Sequence, residues 1–180
     1  MTSADRTDRI VSICAIVAAI AAVGVAAYEA TTNREYQRLS VWPRLQQYNS
    51  FVTGDAYTRT VANYGIGPAL IRTVEMTVDG KTCRTWSEVL RALTGKKLPG
   101  LIYSSLHHGI VILPGKEINT LKIPPGEDAA LVSQQMQTDR LAIKICYSSL
   151  YGEMWLSDST KEEPQQVSRC DVDETKEFRD

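Results

Sequence analysis

Histidine is nearly absent from this 180-residue chain: there are two, and they are neighbours, His107 and His108. Adjacent residues on a strand point to opposite faces, so this pair does not converge on one metal ion. No C-x-x-C, H-x-x-x-H or carboxylate cluster offers another ligand set. The nucleophile elbow G-x-S-x-G is also missing, which leaves Ser104, Ser105 and His107 without the frame of a hydrolytic site. A basic excess is lacking as well. Lys and Arg number 20 against 21 for Asp and Glu, which excludes an ordinary nucleic-acid-binding surface. No cofactor is expected, and no internal repeat is visible. These absences point away from an enzyme.

Charge is missing altogether from one long stretch. Residues Ile10 to Ala27 read IVSICAIVAAIAAVGVAA, with Ser12 as the single hydroxyl. At 1.5 Å per residue, eighteen residues span roughly 27 Å, enough for a thin hydrocarbon core. Tyr28 follows, where an interfacial aromatic would sit. A cleavable signal peptide competes with a permanent anchor, because Val25-Ala26-Ala27 has small residues of the cleavage type. Signal h-regions run to about 7–15 residues, however, and this run is longer. The expected organisation is a cytoplasmic N-terminus over 1–9, a single-pass transmembrane helix over 10–28 and a juxtamembrane stalk or continued helix over 29–40. Arg6 and Arg9 on one side face Arg34, Arg38 and Arg44 on the other, so the positive-inside count leaves orientation open. Ala15, Ala18, Ala19, Ala22 and Ala26 share a helix face, and small residues in a stripe favour close packing of membrane helices. An Ala-rich composition alone would give the same stripe.

From Val41 the pattern turns to strands. In Leu70 to Val78, Val74, Met76 and Val78 alternate with Thr73, Glu75 and Thr77, the period of a half-buried strand. Asp79-Gly80 is a hairpin signal. Thr85-Trp86-Ser87-Glu88 has the capping-box pattern, predicting a helix over Trp86 to Leu93 that ends near Gly95. Leu101 to Leu113 follows a loop, Glu117 to Ile123 alternates, and a second helix is expected over Asp128 to Gln137. Arg140 to Tyr147 sets Leu141, Ile143 and Ile145 on one face, and Tyr151-Gly152 turns the chain into Glu153 to Ser157. The whole predicts a mainly β fold, an immunoglobulin-like antiparallel β-sandwich over 41–157 with one or two short helical insertions. A mixed α+β domain is the alternative. Residues 158–180, charged and poor in apolar side chains, read as a surface tail.

Of the four cysteines, Cys14 falls in the apolar helix. Parity places Cys146 opposite Leu141, Ile143 and Ile145, where Cys170 could reach it by folding back. That disulfide would close about two dozen residues and contribute about 3 kcal/mol by chain entropy, in an oxidising compartment. Cys83 is left over, or is itself the partner of Cys170; three reduced thiols in a cytoplasmic domain are the competing arrangement. The cysteines favour a domain outside the cytoplasm. Trp42, Trp86 and Trp155 read as packing aromatics.

Asn63-Tyr64-Gly65-Ile66-Gly67-Pro68-Ala69 forms an N-x-G-x-G-P-A motif. Gly65 and Gly67 are expected at positive φ, with Pro68 starting a strand and Asn63 closing the turn. This motif, the Asp-Gly-Lys hairpin, the segment from Ile145 to Trp155 and the closing Val167 to Cys170 resemble a group of small, uncharacterised bacterial membrane-anchored proteins. The likeness covers most of Val41 to Cys170. In that group the later segment often reads Cys-Tyr-Cys-Ser; Ser148 stands at the second cysteine, so a disulfide pattern is not carried over. The resemblance implies a bacterial origin and an anchor-plus-sandwich architecture, and brings no activity; together with the cysteines it makes the bacterial inner membrane with a periplasmic domain the expected location. The functions consistent with all this are a membrane-tethered interaction module with an unnamed protein partner, a structural subunit of a larger membrane assembly, or a small-ligand-binding or hydrolytic envelope protein.

Overall fold

A computed structural model describes residues 3–171, 173 and 175–180, with side chains from Ile10 onward. The first two residues of the 1–9 segment and the side chains of Arg6 and Arg9 lie outside the described residues. The chain divides into two units, Met1–Ser40 and Val41–Asp180.

The first unit is one helix, α1, Ser3–Leu39. Its Ile10–Leu39 portion is long and apolar enough to cross a membrane. The helix continues unbroken from the apolar run through Leu39. The polar threonines there do not interrupt it, because Thr31 and Thr32 turn their hydroxyls back to the Tyr28 carbonyl at 2.8 and 3.0 Å.

The second unit is built on antiparallel pairing throughout its named strands. Chain order is β1 (Leu45–Ser50), β2 (Tyr57–Asn63), β3 (Ala69–Val78), β4 (Lys81–Cys83), α2 (Trp86–Thr94), β5 (Val111–Ile112), β6 (Glu117–Ile123), α3 (Glu127–Met136), β7 (Leu141–Ser148), β8 (Met154–Asp158) and β9 (Gln165–Val167). One sheet runs β1-β2-β6; the other runs β4-β3-β7-β8-β9, with β5 also on β3. Alternation drives the central pair: Val74, Met76 and Val78 stand opposite Ile145, Ile143 and Leu141. These six side chains are buried together with Tyr57, Val61, Leu121 and Ile123 of the other sheet in one core. Each such burial is worth about 1.5–3 kcal/mol.

Local chemistry sets the turns. Asp79 and Gly80 both take positive φ, 49° and 76°, which suits a tight two-residue hairpin. Thr85 caps α2 by accepting from Glu88 N–H, and the Glu88 carboxylate accepts from Arg84 N–H at 2.7 Å. Gly95 closes α2 in the left-handed conformation. Trp86, Val89, Leu90 and Leu93 are the face of α2 that enters the core.

One segment is irregular, and two expectations need correction. Leu101 to Leu113 is mostly loop, with Ile102 in a single bridge to Lys122 and a strand only at Val111–Ile112; His108 and Gly109 there bond the Arg72 and Ile71 carbonyls instead of a ladder. Residues 158–180 are not a free surface tail: β9 extends the larger sheet, and Phe178 is buried edge-on against Trp86 at 5.5 Å between ring centroids. Phe178 N–H donates to the Val74 carbonyl and Arg179 N–H to that of Arg84, filling the gap on β3 between β5 and β4. Backbone pairing plus one aromatic holds a segment whose composition alone reads as solvated. Finally, neither Gly65 nor Gly67 has a positive φ. Their need for glycine is close approach: a Cβ on Gly65 would strike the backbone of Trp42 and Arg44, and one on Gly67 the backbone of Val41.

Candidate functional site

Two places in the domain carry side chains that packing alone does not explain. The first surrounds the N-x-G-x-G-P-A motif. Asn63 is fully buried at the end of β2, and all of its amide is used. Its Oδ1 accepts from Arg44 N–H at 3.1 Å and Gly65 N–H at 3.0 Å; its Nδ2 donates to the carbonyls of Gly67 and Ile112 at 2.8 and 2.9 Å. Ile66 and Gly67 N–H groups both donate to the Trp42 carbonyl. Pro68 follows and leads directly into β3. The motif is therefore a clasp that ties the beginning of the domain to its β2–β3 loop and to β5.

Around that clasp several apolar side chains are exposed beside the charged Lys116 and Glu117. Trp42, Tyr64, Ile66, Val111, Leu113, Leu150 and Tyr151 are all exposed, Ile66 at 64 %. Pairing brings them to one end of the domain. Ile66 bonds Trp42, Gly115 bonds Asn63 beside Tyr64, and Val111 and Ser148 both stand opposite Leu70, with Leu150 and Tyr151 in the turn after Ser148. Arg44 adds its guanidinium 5.9 Å from the Trp42 ring centroid. The neighbouring Tyr64 hydroxyl, then burial and Glu117, push the pKa of Tyr48 up to about 12.

The second place is a polar seam beneath β1. Arg59 on β2 is 6 % exposed, and among the described residues no carboxylate pairs with it. Its Nη1 donates to Asn49 Oδ1 at 2.8 Å and its Nη2 to Gln47 Oε1 at 3.0 Å, while its buried Nε has no partner. Tyr57 also donates to Asn49 Oδ1, at 2.7 Å. Gln47 Nε2 then crosses to the other sheet, donating to the Ile143 and Ser157 carbonyls and the Ser157 hydroxyl at 3.1–3.3 Å. Burial lowers the pKa of Arg59 and pushes Tyr57 up to about 12. Next to the seam, a slot of about 310 Å³ separates Leu45–Tyr48 from Ser157–Pro164.

The other residues singled out by sequence are scattered. Cys146 and Cys170 form a disulfide with Cα atoms 5.8 Å apart, beside a groove of about 220 Å³ that Lys144, Glu75 and Arg169 also line. Cys83 is a separate buried thiol. Ala15, Ala18, Ala19, Ala22 and Ala26 are exposed along α1. His107 bonds the neighbouring His108 carbonyl and His108 that of Arg72; both rings, with Ser104 and Ser105, are exposed and assemble no site. Trp86 and Trp155 are buried, whereas Trp42 is partly exposed. Among the described residues no group of three or more His, Cys, Asp or Glu could hold a metal ion. Sequence reading missed Gln47, Asn49 and Arg59. The available signal was an arginine at an inward position of T-R-T-V-A, beside a glutamine- and asparagine-rich neighbour strand. No family model, curated protein or solved structure matches this chain.

Proposed function

We propose that the chain is a membrane-tethered, non-enzymatic interaction module of the bacterial envelope: a single-pass helix carrying an immunoglobulin-like sandwich on the periplasmic side of the inner membrane. The apolar end of the domain carries this reading. Seven exposed apolar side chains collected at one end are the surface expected of an association site. The strand order supports the immunoglobulin-like assignment: β1-β2-β6 and β4-β3-β7-β8 follow the order A-B-E and C′-C-F-G of that fold. The Cys146–Cys170 bond suits an oxidising compartment, which favours the periplasmic side. The bacterial envelope rests on the resemblance of the N-x-G-x-G-P-A motif.

The test is photo-crosslinking in cells from position 66, with identification of the captured protein. Leu113→Ser and Leu150→Ser should each reduce capture from position 66 while leaving folding intact. Turnover of a peptide or small molecule by the purified chain, abolished by replacing Ser104 or His107, would replace this function with a hydrolytic one.

A structural subunit of a larger membrane assembly is the second reading, favoured by the small-residue stripe in the α1 sequence. Leu at positions 18 and 22 should then dissociate the assembly in detergent.

A further inference from the structure

The edge of β1 offers a more specific site. Asn63 N–H donates to Lys116 O and its carbonyl accepts from Gly115, so the Asn63 backbone faces β6. Its register partner Leu45 therefore faces away from β2, as the Leu45 N–H bond to the Tyr147 hydroxyl also shows. By the two-residue period, the backbone groups of Gln47 and Asn49 face outward too. Among the described residues no strand pairs with that side of β1. An unpaired strand edge recruits another strand.

Arg59 lies immediately behind this edge. Its guanidinium is turned towards β1, held by the side-chain oxygens of Gln47 and Asn49, and it lacks both an acid and a partner for Nε. A buried cation without a counterion is costly, and a carboxylate is the group that would offset it.

We infer that β1 binds an extended peptide segment of a partner protein, which adds as a strand along Gln47 and Asn49 and presents a Glu or Asp side chain to Arg59. This deepens the interaction-module reading and rests on it. The slot beside β1 leaves room for side chains of the added strand. Asp158, Glu162 and Glu163 line that slot with Lys161, so the carboxylate is directed to Arg59 behind β1 and not into the slot. Glu163 is already paired with Arg44 at 3.1 Å. Asp158 accepts from the Thr160 backbone and hydroxyl.

The experiment uses the full chain in lipid nanodiscs and synthetic β-forming peptides of about eight residues. They differ only in a central Glu, Gln or Lys. The Glu peptide should bind at least roughly tenfold more tightly than the Gln peptide, the ratio expected of a charge-assisted contact. Hydrogen exchange at the Gln47 and Asn49 amides should slow on binding. Gln46 and Tyr48, already facing β2, should stay unchanged and report an intact fold. Arg59→Met should remove the Glu preference; if it unfolds the domain, Arg59→Gln serves, judged by the same two control amides. Absence of binding, equal affinity for Glu and Lys, or binding without slowing at Gln47 and Asn49 would overturn the site. Crosslinking from position 66 reads the apolar end independently, so the module could stand while this edge site fell.

Discussion

Replacing Asn63 by alanine removes four hydrogen bonds from a fully buried position. The two carbonyls it serves keep a second lone pair and tolerate the loss better than the N–H groups of Arg44 and Gly65. Both N–H groups are part-buried, so at about 1–2 kcal/mol for each the expected cost is about 2–4 kcal/mol. That is a large part of the 5–15 kcal/mol typical of a domain. Urea unfolding of the full chain in detergent, followed by fluorescence of buried Trp86 and Trp155, measures it. Asn63→Asp separates donor from acceptor roles. The carboxylate keeps the two acceptor contacts but faces the Gly67 and Ile112 carbonyls without donors. Burial holds such a group above the ordinary Asp range, so the folded state retains a proton that the unfolded chain releases. By linkage, the stability of Asn63→Asp should then fall as pH rises from acid to neutral, while Asn63→Ala stays flat relative to the native chain. A cost under 1 kcal/mol for Asn63→Ala, or a pH-independent Asn63→Asp, would refute the clasp.

Gly67→Ala drives a Cβ into the Val41 backbone and should destabilise by about 2 kcal/mol or more despite an ordinary φ; the same urea titration reads it. Phe178→Ala should cost about 3–5 kcal/mol, the range for a buried aromatic, where a loose tail would cost nothing. Tyr57 and Tyr147 are both held up at about 12, chiefly by burial. Their protons persist in the folded state after unfolded tyrosines lose theirs near pH 10, so stability should fall between about pH 10 and 12. Absorbance at alkaline pH should show these two rings ionising late or only with unfolding.

The legible parts of the fold are those with short-range causes. Val74, Met76 and Val78 alternate because one face of β3 is buried; Asp79-Gly80 and Thr85-x-x-Glu88 carry their turn and cap chemistry within four residues. Where partners are distant in sequence, local reading fails. Nothing in the Gly65–Gly67 loop announces that the backbone of Val41 to Arg44 lies against it, so conformational freedom was the expectation and close approach is the reason. Phe178 is the one aromatic in a charged segment, and the gap on β3 explains its burial. Arg59 belongs to the same class. An arginine in a strand reads as solvent-facing unless the amides of Gln47 and Asn49, ten or more residues earlier, are seen to hold it. The parts tied to candidate sites are thus the least legible, because each depends on pairing across the sheets.

Membrane tethering underlies the whole functional account, and flotation of cell membranes tests it most directly. The intact chain, residues 10–27 included, should float with lipid and resist alkaline extraction, with its Val41–Asp180 unit cleaved by protease added from the periplasmic side. Recovery of the uncleaved chain in the soluble fraction without detergent would contradict the account.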